Sequence, residues 1–117
     1  MLRTIEPAVA PAWFRYPKEF LRLIQQNIVD LTPWYLMDRD QVMSRMEGLR
    51  LRYPQRELVP FARRDDNDDL ACWEKGRGES VLVIHDFASA GHEDRARFGD
   101  FWSWFRSAIE DMIAFEP

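Results

Sequence analysis

The apolar positions of this chain change their period twice, and each change marks a different kind of element. From Pro17 onward Phe20, Ile24, Ile28 and Leu31 recur every three or four residues, with Lys18, Arg22, Gln25 and Gln26 opposite them. That spacing predicts an amphipathic helix, and Pro17 suits its first position, where a missing N–H costs nothing. Thr32 and Pro33 interrupt the pattern, and Trp34, Tyr35, Leu36 and Met37 form an apolar bridge. Asp38 followed by Gln41 has the form of a capping box and predicts the start of a second helix. Val42, Met46, Leu49 and Tyr53 make its inward stripe. Arg45, Arg50 and Arg52 lie toward the end that the helix dipole makes favourable for cations, and Pro54 stops it.

Beyond Pro54 the pattern becomes that of strands. Residues 57–63, 69–74 and 80–87 read as three strands, separated by an acidic turn and by a Gly-containing one. Short connections imply antiparallel neighbours, because a parallel pair needs a crossover of a dozen or more residues. Val81, Leu82, Val83 and Ile84 are continuously apolar, which predicts cover on both faces and a central or deeply buried place. After Ala88, Ser89, Ala90 and Gly91 the helical period returns. Phe98, Phe101, Trp102, Phe105, Ile109 and Met112 form one stripe, and Ser103, Arg106, Ser107, Glu110 and Asp111 occupy the rest. Burying that stripe on the sheet contributes on the order of 10 kcal/mol before conformational entropy is set against it. The expected architecture is α+β: a three-stranded antiparallel meander packed by two N-terminal helices and one C-terminal helix. Residues 1–15 hold Pro7 and Pro11 and few periodic positions, so they read as an extended arm anchored by Trp13 and Phe14. Residues 16–117 form the domain proper.

Composition narrows the class. At 117 residues the chain suffices for one core and not for two ordinary domains, and 46% apolar with 31% charged residues is a globular balance. Cys72 is the sole cysteine, so no internal disulfide or cysteine metal cluster forms. Its apolar strand context reads as a buried small hydrophobe in a reducing compartment. No apolar run matches a secretory signal or a membrane span, which predicts a soluble, cytoplasmic protein.

Net charge is −4, but residues 1–64 carry +4 and residues 65–117 carry −8. An acidic C-terminal half disfavours nucleic acid and suits a basic protein partner. The sign changes at Asp65, Asp66, Asn67, Asp68 and Asp69. Counted as a calcium loop from Asp65, this turn has Leu70 where a glycine is required and Gly76 where the closing glutamate belongs. Turn formation needs only one or two of these residues, so the surplus carboxylates invite a second explanation. Either Arg63 and Arg64 neutralise them, or the turn is an acidic knob that docks on a basic surface.

His85-Asp86 and His92-Glu93-Asp94 make a weak zinc pattern, and His85-Asp86 lacks a nucleophile in any recognised context. Gly76 and Gly78 lack the third glycine and following helix of a nucleotide loop. No cofactor or metal is expected. Trp104 falls about 100° off the stripe of the last helix and is expected to be partly exposed, joining Trp73 as a candidate aromatic anchor.

Several local phrases resemble the SUKH superfamily. Tyr16-Pro17 to Phe20-Leu21 resembles its early proline-bearing helix, and Leu58-Val59-Pro60-Phe61-Ala62 its first-strand signature. Asp68-Asp69 with Cys72-Trp73 resembles the following strand, and Phe98 to Phe105 its closing aromatic helix. The resemblance spans about residues 16–113. The chain departs from the family's glycine-rich turn at Asp65 to Asp69 and from its glycine after the first helix. The resemblance implies a divergent α+β immunity-type protein that neutralises a bacterial toxin. The residues themselves suggest noncatalytic protein binding through Asp65, Asp66, Asp68 and Asp69 with Trp73 or Trp104. Two other readings stand beside it: a small-ligand or regulatory module with an aromatic pocket reached by His85 or Arg63, and a metal-dependent hydrolase using His85. The expected partner is a basic protein such as a toxin nuclease domain, with no nucleic acid and no membrane. A homodimer through an exposed sheet edge is left open.

Overall fold

The computed structural model describes residues 1–116. The first helix, α1 (Lys18–Gln25), is shorter than its periodicity suggests. Asn27 takes a left-handed conformation with φ 56°, and two hydrogen bonds close the helix end: Ile28 N to Leu23 O and Asn27 N to Ile24 O, both 2.9 Å. This is a Schellman closure in which asparagine stands where glycine is commonest. Ile28 is thereby released from the helix, and Leu31 enters a strand.

The supposed apolar bridge is a hairpin of β1 (Asp30–Leu31) and β2 (Trp34–Leu36). Asp30 nucleates it by accepting hydrogen bonds at Oδ1 from Thr32 N at 3.0 Å and Thr32 Oγ1 at 2.6 Å, a local competitor for helical bonding. The second helix, α2 (Arg39–Arg52), begins at the expected capping box, with Asp38 N donating to Gln41 Oε1 at 3.0 Å. Strands β3 (Leu58–Arg64), β4 (Asp69–Glu74) and β5 (Val81–His85) follow in the anticipated meander. A further strand, β6 (Asp94–Phe98), precedes α3 (Phe101–Ala114), whose N-cap Asp100 accepts from Ser103 N at 2.8 Å.

One antiparallel sheet in the order β1-β2-β3-β4-β5-β6 results. The α+β class stands, and the expected three-stranded sheet is corrected to six strands. β1 and β2 were hidden because they are two and three residues long. β6 was hidden because its residues DRARF are largely exposed and show no apolar alternation. With β6 at the edge, β5 is buried on both faces as expected but stands fifth of six.

Successive residues of β4 point to opposite faces. Trp73 joins Phe14, Phe20, Phe61 and Phe101 on one side. On the other, α2 packs against β3 and its arginines reach the end of β5. The sheet therefore lies between α2 and a layer of α1 and α3. Phe61 is the extra residue of a bulge between Pro60 and Ala62. The bulge also accommodates Pro60, which has no N–H for the ladder. The Phe61 ring stacks on Trp73 at 4.2 Å between centroids and meets Trp104 edge-on at 4.8 Å.

Residues 1–15 are fastened to this body. Ile5 and Phe14 are buried, Ile5 N donates to Tyr16 Oη at 3.2 Å, and Arg3 bridges Asp38 and Asp40. Among the described residues no helix is long and apolar enough to cross a membrane.

Candidate functional site

Antiparallel pairing of Asp69 with His85 brings the β3–β4 turn and the β5–β6 loop to the same end of the sheet. Asp86 N donates to Asp68 O at 3.0 Å, which ties the two segments together. The β5–β6 loop is held by side chains from three directions. Arg45 reaches Asp86 Oδ2 through Nε at 3.1 Å and a terminal nitrogen at 2.8 Å. Arg52 places Nε 2.7 Å from Oδ1 and a terminal nitrogen 2.8 Å from Oδ2. Both carboxylate oxygens of Asp86, which is fully buried, are thus occupied by cations from α2. Tyr53 donates its hydroxyl to Ala88 O at 2.7 Å. Glu93 accepts from Gly91 N at 2.7 Å and from Arg56 at 2.8 Å. Burial alone would push the Glu93 carboxyl up, but the Arg56 and backbone donors hold it below the usual range.

Phe87 stands on this braced loop with φ 69° and 59% exposure. A bulky residue in the left-handed region is uncommon and costs free energy that glycine avoids. Phe87 N donates to Asp86 Oδ1 at 2.9 Å, and the Arg52 guanidinium lies 4.1 Å over its ring. The ring is therefore seated on a cation and faces outward. Sequence reasoning missed Phe87 by ending the third strand on it. Its exposure follows from the reversal after Asp86, which the periodicity does not mark.

The four aspartates share this end of the molecule but not one role. Asp66 is clamped by Arg64 in a bidentate pair, Nε to Oδ1 at 2.8 Å and a terminal nitrogen to Oδ2 at 2.9 Å. That guanidinium holds the Asp66 carboxyl below its ordinary range. Asp69 lies 2.8 Å from His85 Nδ1 and 3.8 Å from Arg95 Nε. Asp65 is exposed and Asp68 half-buried, and neither makes an ion pair among the described residues. The freely presented knob of four carboxylates is corrected to two, because Arg64 and His85 already engage the others. The expected partial exposure of Trp104 is also overturned. Trp104 is 1% exposed and Trp73 3%. Trp104, Phe101 and Ala108 form the stripe of α3 that meets the sheet, so neither tryptophan is available as an anchor.

His85 is half-buried and His92 exposed. A cleft of about 160 Å³ is lined by Arg64, Asp69, Arg95, Ser107 and Asp111 over Trp104, and neither histidine lines it. It is smaller than the few hundred Å³ of ordinary small-molecule sites. The Cys72 thiol is fully buried, and burial pushes its pKa far up. A comparison of the chain with protein-family models, curated proteins and solved structures finds no match.

Proposed function

We propose that this chain is a noncatalytic protein-binding domain that docks through the sheet end carrying Phe87, Asp65 and Asp68. The observation that carries the reading is Phe87 itself, 59% exposed at φ 69° on a loop fixed by Arg45, Arg52 and Tyr53. An aromatic side chain held rigidly in the open loses little conformational freedom on contact, which is what an interface anchor requires. Asp68, whose carbonyl accepts from Asp86 N, and Asp65 at the same end of the sheet favour a partner with basic groups, in keeping with the acidic balance of residues 65–117. The resemblance to the SUKH superfamily supports the finer reading, an immunity-type protein that neutralises a bacterial toxin, with a basic toxin domain such as a nuclease as its partner.

The test is calorimetric titration against the product of the adjoining coding region at low and moderate salt. Asp65→Lys with Asp68→Lys is expected to weaken binding about tenfold or more and to flatten its salt dependence. Phe87→Gly is expected to weaken binding while leaving thermal stability equal or higher, since it relieves the left-handed phenylalanine. Affinity untouched by both changes would move the contact elsewhere, and no binding at all would remove the immunity-type reading.

A further inference from the structure

Helix α3 carries two apolar stripes, and the sheet covers only one. Phe101, Trp104 and Ala108 are buried. Trp102, Phe105, Ile109 and Ile113 recur at the same spacing about 100° further round the helix. Trp102 is 38% exposed, Ile113 77%, and the two between them are half-buried. A groove of about 460 Å³ lined by Lys18, Leu21, Arg22 and Trp102 extends this face onto α1. A face of this composition on a small domain calls for a cover.

We infer that the cover is a second copy of the chain, with α3 packed antiparallel on α3 about a two-fold axis. The helix is self-complementary in that arrangement. An axis passing between residues 107 and 108 sets Trp102 level with Ile113 and brings Phe105 within one residue, about 1.5 Å of helix rise, of the level of Ile109, each contact occurring twice. On one flank of the stripe, the same axis brings Arg106 within one residue of the level of Glu110 of the second copy, an offset of about 1.5 Å that two long side chains span. Both residues are exposed, and neither forms an ion pair within its own chain among the described residues. Their order along the helix, Arg before Glu, is the less favourable one for an internal pair. Two-fold symmetry turns the same residues into two intermolecular pairs flanking an apolar seam. The alternative contact between copies, along β6, is blunted by Asp94, Arg95 and Arg97 on that edge. This face is distinct from the sheet end that carries Phe87, so the two can be occupied together.

Sedimentation of the full chain from about 1 to about 200 μM spans the range in which a modest interface associates. The 14.0 kDa species is expected to give way to one of twice that mass. Arg106→Glu or Glu110→Arg alone should weaken association about tenfold, because each sets like charges opposite one another. The double change R106E/E110R should restore it. An equimolar mixture of the two single variants should associate as well as the unaltered chain, since every flank pair is then Arg with Glu. A chain monomeric throughout the range overturns the inference, and so does a dimer whose affinity none of these changes alters. Capture of an unrelated protein on this face without self-association overturns it as well.

Discussion

Replacing Asp86 with asparagine tests the bracing of the candidate site most directly. The carboxylate has no exposed surface and accepts four hydrogen bonds from Arg45 and Arg52 and one from Phe87 N. Asparagine keeps the shape but removes the charge, and it turns an NH2 group toward guanidinium donors. Two arginines, only 16% and 28% exposed in their side chains, are then left with no anion between them. Breaking a buried pair from one side costs about 3–5 kcal/mol. The whole domain is worth about 5–15 kcal/mol. With a urea m-value of about 2 kcal/mol/M, a loss near 4 kcal/mol lowers the unfolding midpoint by about 2 M. Asp66→Asn is the matched control, since its Arg64 partner is the same kind of cation at a half-exposed site, and it should cost less than about 1 kcal/mol. Urea unfolding followed by tryptophan fluorescence reads both. A loss for Asp86→Asn no larger than for Asp66→Asn would refute the view that this carboxylate is what anchors the loop to α2.

Gly48→Ala inverts an ordinary helix rule. Alanine inside a helix should gain about 1 kcal/mol, but a Cβ at Gly48 would come within 2.6 Å of an Arg52 terminal nitrogen that Asp86 holds in place. The net change in urea unfolding is expected to be a loss, and a stabilised variant would show that Arg52 is free to move. Acid stability should depend on Glu93. Its folded pKa lies below the ordinary 4.5, so its contribution is present in full above about 4.5 and is lost as pH falls through the lower folded value. Glu93→Gln should therefore cost about 1–3 kcal/mol at neutral pH and flatten the acid limb, which unfolding curves between pH 3 and 7 compare directly. Cys72 should resist a thiol reagent in the native state and react only at the rate of unfolding; fast labelling of the native chain would contradict its burial.

What could be read from the sequence divides along physical lines. Elements whose apolar residues face a single core showed their period, as with the stripe of α2 and the strands β3, β4 and β5. Elements set by a single local hydrogen-bonding residue did not. Asn27 ends α1 and Asp30 turns β1 into β2, yet either residue is equally at home on the surface of a continuing helix. The last helix misled for another reason. Its sequence FWSWFRSAI offers two overlapping apolar stripes, and counting favours the larger. The sheet chose the smaller one, because Ala108 permits close approach while Trp104 fills the space against Phe61 and Trp34. Of the candidate site, the acidic turn was legible as a sign change in charge. The clamp of Arg64 on Asp66, two residues on, was one of the alternatives the sequence offered; the contact of His85 with Asp69 depends on pairing across the sheet and the exposure of Phe87 on a reversal after Asp86, neither of which a local pattern carries.

The two faces of the sheet are held by different means, and the difference bears on function. On the α1 and α3 side, aromatic rings crowd around Phe61 and Trp73 without fixing direction tightly. On the α2 side, Arg45, Arg52 and Arg56 reach Asp86, Glu74 and Glu93 through bonds that do fix direction. Charge pairs of this kind add little net stability over an apolar equivalent. They do keep the 86–93 loop in one geometry. On the reading proposed above, the network and the positive φ of Phe87 together hold the ring in the position that a partner surface would meet.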